Sequence, residues 1–325
     1  MLNDGNLETY HERKHQIVLI LFKKLECLFL SMAVRSIVLL DISGIIYRAY
    51  HSRPVDKFRL DSGFPTNAIH GTCSIIMSLL DQFGSNVHIV ACLDKGFKKR
   101  TSILSTYKKN RSSTPNDLIP QFPIIYDILG KMGIVSVSKD GFEADDVIAT
   151  LAHRESIKGN NVIIVSSDKD MYQLLDLTHV VIYDPRTKKY IREADVSFKF
   201  GIKPKHMILY QALVGDSCDN IKGIKGIGPK TATKIICLHN GDKEAIIKEK
   251  SIDRQSLDDN IQLVTLQTDL QLDSNISNTL VFKEQIAHHD TKLHTLLKDY
   301  KLKSILTKLA KCEALSRPFG AVSAL

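Results

Sequence analysis

Residues Ala144 to Asp170 read ADDVIATLAHRESIKGNNVIIVSSDKD, and the fold class follows from this stretch. Ala144 to Ser156 reads as a helix with its acids in the first turn, where the helix dipole favours carboxylates. Val162 to Val165 is a short apolar run, a buried strand, and it ends on Ser166, Ser167, Asp168, Lys169 and Asp170. Working outward, the same rule recurs. Ile37 to Leu40 (IVLL) is a strand that ends in Asp41, and Val87 to Leu93 (VHIVACL) is a strand that ends in Asp94. Asn67 to Phe83 and residues 121–132 have helical periodicity, and Ile134 to Val137 and Val180 to Tyr183 read as further strands. Strands that alternate with helices imply a parallel α/β sheet, and such sheets bind ligands beyond the carboxyl ends of their strands. The acids stand at those ends. From about Pro204 the pattern turns helical and stays so, without internal repeats.

The chain has 325 residues, 44 Lys plus Arg against 36 Asp plus Glu and a net charge of +8, a balance that leans towards an anionic partner. Six cysteines (Cys27, Cys73, Cys92, Cys218, Cys237, Cys312) show no C-x-x-C spacing, which fits reduced thiols in the cytoplasm and argues against a zinc site. Ile17 to Met32 reads IVLILFKKLECLFLSM. It is too short and too charged to span a membrane. Residues 1–31 are read as an extension with Met32 as the working start, an accessory amphipathic helix being the alternative.

Nine carboxylates from five segments stand out: Asp41, Asp94, Glu143, Asp145, Asp146, Asp168, Asp170, Asp216 and Asp219. Any one of them alone would be a helix cap or a solvated surface acid. Gathered at one sheet edge they would repel each other unless cations neutralised them, and oxygen-only ligands select hard ions, Mg²⁺ with Mn²⁺ as substitute. Two such ions roughly 4 Å apart suit in-line attack on a phosphodiester. No Ser, Cys or His triad is evident, and His70 and His153 read as surface or packing residues.

Lys95 to Arg111 (KGFKKRTSILSTYKKNR) holds seven cations and no acid. It begins directly after Asp94, which places it over the proposed metals, and Tyr107 within it could stack on a base of single-stranded DNA. Gly223 to Gly228 (GIKGIG) precedes Pro229, Lys230 and Thr231. A Walker A loop needs Gly-Lys-Ser/Thr in direct succession, and no strand is read before this loop. Pro229 instead suits the first position of a helix, so the turn joins two helices, and its N–H groups can hold a DNA phosphate. Lys222, Lys225, Lys230 and Lys234 add charge around it.

Between about Ile37 and Thr268 these residues fall into the motifs YRAYH (Tyr47–His51), TNAIHG (Thr66–Gly71), YKKNR (Tyr107–Arg111), GFEADDVIATLA (Gly141–Ala152), SSDKDMYQLL (Ser166–Leu175), LVGDSCDNIKGIKGIGPKTA (Leu213–Ala232) and LQTDLQL (Leu266–Leu272). In these the chain resembles the 5′-nucleases, which comprise the 5′→3′ exonuclease domain of bacterial DNA polymerase I and the flap endonucleases. The resemblance implies a PIN-like α/β nuclease core over 32–203 with a basic arch at 95–120. A helix-three-turn-helix, of the helix-hairpin-helix type, and a helical region would follow over 204–325. It implies metal-binding roles for all nine carboxylates and catalytic roles for Lys108 and Arg100. Arg100, Tyr107, Lys108 and Arg111 would form the arch around the 5′ single strand. Lys222, Gly223, Lys225, Gly226, Gly228, Lys230 and Thr231 would contact duplex DNA, with K⁺ at the hairpin. The chain departs from the family pattern at Ile42, Lys95 and Cys218 without losing a carboxylate.

The expected activity is that of a monomeric, cytoplasmic, two-metal 5′→3′ exonuclease and flap endonuclease. Its substrates would be DNA with a 5′ flap, a nick or a 5′ end, including RNA-primed DNA, in primer removal and repair. A DNA polymerase or ligase is the expected protein partner, and no membrane is involved. A DNA-binding protein that has lost catalysis and a PIN-type ribonuclease are the alternatives.

Overall fold

The computed structural model describes residues 36–84, 87–272 and 291–316, and the chain from Ser36 onward forms one compact unit. The 1–31 extension lies outside the described residues. The main sheet consists of β1 (Ser36–Asp41), β2 (His88–Cys92), β3 (Val135–Val137), β4 (Asn161–Val165), β5 (Val180–Asp184) and β6 (Lys189–Ile191). Their order is β3-β2-β1-β4-β5-β6. The first five are parallel and β6 is an antiparallel edge. The chain thus builds outward from β1 on one side and returns to the other side with β4. This reversal opens a crevice at the carboxyl ends of β1 and β4, the place where such sheets bind ligands. Leu40 pairs with Val165 and Asp41 with Cys92, so the acids that follow β1, β2 and β4 share one edge.

Both faces of the sheet are covered, which is why its strands read as continuous apolar runs. Ile37, Leu39, Val162 and Ile164 face one core. It is closed by α5 (Ala144–Ile157) and by the helices α6 (Glu193–Phe200), α7 (Met207–Val214), α8 (Pro229–Leu238), α9 (Lys243–Lys250) and α10 (Arg254–Val264). Val38, Leu40, Ile89 and Ala91 face the other core. There they meet α1 (Ile42–His51), α2 (Asn67–Phe83), α4 (Gln121–Lys131), α11 (Thr291–Asp299) and α12 (Lys303–Ser316).

The TNAIHG motif explains how α1, α2 and α4 lock together. Gln121, fully buried, accepts from the N–H groups of Ala68 and Ile69 at 2.9 and 3.2 Å and donates to Asn67 Oδ1 at 2.9 Å. Asn67 donates in turn to the carbonyls of Tyr50 and Arg53. A side chain from a distant helix therefore caps the start of α2, whose own N-cap residue, Thr66, makes no side-chain capping bond.

One local expectation is corrected. A two-residue ladder, β7 (Gly215–Asp216) with β8 (Ile221–Lys222), stands directly before the Gly-rich turn. Two residues are too few to leave a periodic signal in the sequence.

Candidate active site

Asp41 ends β1 and opens α1. Its Oδ1 accepts from the Gly44 N–H at 2.9 Å and its Oδ2 from Ser166 Oγ at 3.0 Å. A Cβ on Gly44 would stand 2.5 Å from Oδ2, so the glycine here is required by the approach of the helix to the carboxylate. Ser166 Oγ also accepts from the Asp168 N–H at 3.1 Å, and Asp168 Oδ1 accepts from the Asp170 N–H at 2.9 Å. A single serine therefore ties the end of β1 to the acids after β4. Asp94 is fixed from across the crevice, its Oδ1 accepting the Ala144 N–H at 2.8 Å. That bond places the first turn of α5, with Asp145, beside it.

Asp41, Asp94, Glu143, Asp145 and Asp168 line one cleft of about 610 Å³, together with Tyr47, Phe97, Lys108 and Arg111. Burial, then the charges of Asp94 and Asp168, push the Asp41 carboxyl up to about 6 against the donor bonds from Gly44 and Ser166. Burial, Asp41 and Asp168 hold Asp145 well above the usual aspartate range. Burial and the charges of Asp168, Asp216 and Asp219 raise Asp170 to about 7. Cys92 lies behind the group, and burial with Asp41, Asp145 and Asp94 makes its thiol hard to ionise. Burial is the first cause of each of these shifts, and the neighbouring anions add to it.

The remaining acids carry counter-charges from the chain itself. Lys108 pairs with Glu143 and stands 3.5 Å from Asp219. Arg111 meets Asp219 at 2.6 Å. Lys169 meets Asp216 at 2.9 Å. For Asp216, burial would raise the carboxyl, but Lys169 and the Cys218 N–H outweigh it and hold it below the ordinary value. Lys108 feels burial most, yet Glu143 and Asp219 keep its ammonium protonated above the usual lysine range.

Among the described residues no three acid, histidine or cysteine side chains are already gathered in coordinating geometry. Glu143, Asp216 and Asp219 are engaged by the chain's own cations, Lys108, Arg111 and Lys169. The donor set nevertheless fits hard divalent cations, since it is all carboxylate oxygen.

Three sequence expectations are corrected here. Asp146 is not in the cleft. It is fully buried, holds Arg100 through two bonds of 2.7 and 2.9 Å and accepts the Gln267 N–H at 3.0 Å, so its oxygens are spent within the protein. Arg100 is likewise buried, paired also with Glu143 at 2.9 Å and donating to the Leu263 carbonyl at 2.9 Å. It is a strut between α5 and α10, with no free face for a DNA strand. Tyr107 is 4% exposed, and its hydroxyl lies 3.0 Å from Glu143 and 2.9 Å from Asp219. It cannot stack on a base; the exposed aromatic at the cleft is Phe97, which meets the Tyr107 ring edge-on.

The 95–120 arch is also more closely folded than its charge implies. It contains one six-residue helix, α3 (Lys98–Ile103). It is then pinned to the Asp216–Asn220 turn by Lys108 N–H to the Asp219 carbonyl, Asn110 to Ser217 and Asn220 to Thr106. Lys95, Lys98, Lys99, Lys109 and Arg111 remain exposed.

Of the three departures, only Ile42 has a structural reason. Ile42 is fully buried in the second core. Lys95 is exposed and its backbone exchanges bonds with Phe142 and Gly141, which leaves the choice of lysine without a structural explanation. Cys218 is exposed, and only its N–H is used, donating to Asp216 at 2.8 Å. Ser166 and Lys169 carry roles that nothing in a single sequence distinguishes from ordinary loop residues.

The hairpin 223–228 follows β8, whose Ile221 pairs with Asp216. Its Ile224 N–H bonds the Leu213 carbonyl at 2.8 Å, and buried Asn260 spans the carbonyls of Ala212 and Lys222. Gly226 adopts a φ of +82°. Pro229 opens α8 without a side-chain cap, and Lys222, Lys225, Gly226, Gly228 and Lys230 are exposed around that end, with Thr231 half-buried.

With this geometry in hand, two family models account for nearly all described residues. Residues 36–201 match the 5′-3′ exonuclease, N-terminal resolvase-like domain, and residues 202–314 the 5′-3′ exonuclease, C-terminal SAM fold. The chain belongs to the 5′-3′ exonuclease family. A 5′-3′ exonuclease of Aquifex aeolicus is 34% identical over 286 residues, covering 86% of this chain and 96% of that protein. DNA polymerase I of Rhizobium leguminosarum is 36% identical over 298 residues, 85% of this chain but 29% of the polymerase. The chain thus spans less than a third of that relative. The bacteriophage T5 flap endonuclease, solved with DNA and metal ions, matches with a TM-score of 0.58 at 23% identity over 85% of this chain and all of that one; this shows the shared fold. No helix among the described residues is long and apolar enough to cross a membrane.

The raised carboxyls make a prediction about this family member without metal. Groups whose folded values lie near 6 and 7 against an ordinary 3.8 favour the fold when protonated. That contribution is full below about pH 4 and is lost as pH rises through 6 to 7. In EDTA, Tm measured by circular dichroism should fall across this window, and excess Mg²⁺ should restore it at the upper end. A Tm in EDTA that holds level from pH 4 to 7 would mean that the cluster is not electrostatically stressed.

Proposed function

We propose that the chain is a divalent-metal-dependent 5′→3′ exonuclease and flap endonuclease. It would cut DNA at 5′ flaps, nicks and 5′ ends, including RNA-primed ends, in primer removal and repair in the cytoplasm. The observation that carries this reading is the meeting of Asp41, Asp94, Asp145 and Asp168 in one cleft at the topological switch point.

Asp41, Asp94, Asp145 and Asp168 would hold Mg²⁺, or Mn²⁺ in its place, with Asp170, Glu143, Asp216 and Asp219 further out. When bound, two such ions lower the pKa of an attacking water and stabilise the leaving 3′ oxygen. The protein's own groups do the rest. Ser166 and the Gly44 N–H orient Asp41, and the Ala144 N–H orients Asp94, so these ligands are set before substrate arrives. Lys108 carries a positive charge into the cleft and can turn from Glu143 towards a phosphate on which charge develops. Arg111, whose side chain is 52% exposed, and the cations from Lys95 to Lys109 draw the 5′ strand over the cleft, with Phe97 as the exposed ring. The uncapped start of α8 and Lys222, Lys225 and Lys230 supply a phosphate clamp for the duplex, where K⁺ could also sit. The nuclease core would run over 32–203 and the helical clamp over 204–325, acting as a monomer beside a polymerase or ligase.

A labelled 5′-flap duplex should be cut in Mg²⁺ and left intact in EDTA. Asp145→Asn should slow cutting about 100-fold or more; cutting at the parent rate would remove the metal assignment. Replacing both Lys225 and Lys230 with Ala should reduce the slope of log affinity against log salt by about 1–2. An unchanged slope would show that the hairpin is not on the DNA.

A further inference from the structure

Helix α7 (MILYQALV) carries a polar residue where its pattern calls for an apolar one. Met207 and Gln211 stand one turn apart on the same helix face, and both are buried, Gln211 to 2% exposure. Burying a carboxamide is costly unless its donor and acceptor are both used. Gln211 Nε2 donates to Asp170 Oδ1, but among the described residues Gln211 Oε1, cut off from solvent, has no donor. The amide faces this way round because the reverse would set its oxygen against a carboxylate oxygen. A methionine or leucine would fill the same place without an unpaired buried oxygen. Packing therefore does not explain the glutamine, and its bond to Asp170 does.

That bond is not needed to hold the backbone of Asp170. The Asp170 N–H donates to Asp168 Oδ1 at 2.9 Å, and the Asp170 carbonyl accepts from Gln173 Nε2 at 3.0 Å. Gln173 ties this turn to α10 as well, donating to the Val264 carbonyl at 3.1 Å. Gln211 acts on the carboxylate itself. The other outer acids are engaged by cations: Glu143 by Lys108 and Arg100, Asp216 by Lys169, and Asp219 by Lys108 and Arg111. Among the described residues Asp170 makes no ion pair, and its side-chain partner is a neutral amide. A neutral donor fixes the direction of a carboxylate and leaves its charge for a metal ion, whereas an ammonium in that place would compete with the ion.

We infer that Gln211 is a positioning residue for a divalent cation held by Asp170. The inference rests on the nuclease reading, in which Asp170 is one of the acids that hold metal. Groups that orient a metal ligand from behind are commonly worth about 10–100-fold in metal affinity.

The full chain is titrated with Mn²⁺ in the absence of DNA, followed by electron paramagnetic resonance, for the parent, Asp170→Asn, Gln211→Met and Gln211→Leu. The Tm of each is read in EDTA. Asp170→Asn should weaken or abolish one of the parent's ions. Gln211→Met should weaken that same ion about tenfold or more and leave the other within about twofold. In EDTA it should melt at or above the parent, since an unsatisfied buried acceptor has been removed. Flap cutting by Gln211→Met should need about tenfold more Mg²⁺ to reach half its maximal rate. If Gln211→Met does not fold, Gln211→Leu carries the same comparison; loss of folding in both makes Gln211 a core residue and overturns the inference. A folded variant that binds both ions as tightly as the parent also overturns it, whatever its Tm, and leaves the nuclease reading standing. An Asp170→Asn variant with the parent's isotherm removes Asp170 from the metal set and overturns the inference in the same way. A parent that binds no Mn²⁺ and cuts no flap overturns the nuclease reading instead.

Discussion

Four carboxylates, from the ends of two strands, the loop after a third and the start of a helix, are forced together at the centre of this sheet, and the rest of the site depends on how their repulsion is managed. Burial and mutual charge push Asp41 up to about 6 and hold Asp145 well above the ordinary range. The fold tolerates this in part because three of the acids, Asp41, Asp94 and Asp168, are tied in place by donors that belong to the framework. Gly44 and Ser166 hold Asp41, and Ala144 holds Asp94. The stress is therefore kept where cations can relieve it, at some expense to stability without them. Active sites commonly store such a conflict and compensate for it elsewhere.

Compensation is visible one layer out. Arg100 and Asp146 form a buried bidentate pair that also engages the chain at Leu263 and Gln267, so the first turn of α5 is locked to the helical half of the unit. Tyr107 and Lys108 then join Glu143 to Asp219. These contacts bind the core, the basic segment and the acid turn at 216–219 into one network. A buried pair of this kind is weak support for stability as such, since removing both charges from water is costly. Its value is geometric, because it fixes where Asp145 and Glu143 stand.

Much of this could be read from sequence, and the limits have physical causes. The strands at Ile37, Val87 and Val162 were legible because burial on both faces leaves uninterrupted apolar runs, each ending at an acid. Helix α2 could be bounded to the residue, since Gly84 stops it with a φ of +77°. Charge, by contrast, does not reveal direction. Asp145 and Asp146 are neighbours in a helix and so point about 100° apart; one enters the cleft and the other pairs with Arg100. Tyr107 and Arg100 looked like DNA contacts because they sit in a basic run, yet both are buried against acids from distant segments. Ser166 by itself was silent, because the role of its hydroxyl arises only when β1 and β4 lie side by side.

The account stands on cations relieving the repulsion around Asp41, and binding stoichiometry tests it more directly than any rate. Mn²⁺ titration of the full chain, followed by electron paramagnetic resonance, should show about two ions bound per chain, with Asp41→Asn losing at least one of them and with no DNA required. A chain that binds no Mn²⁺, or an Asp41→Asn variant that binds as many ions as the parent with equal affinity, would contradict it.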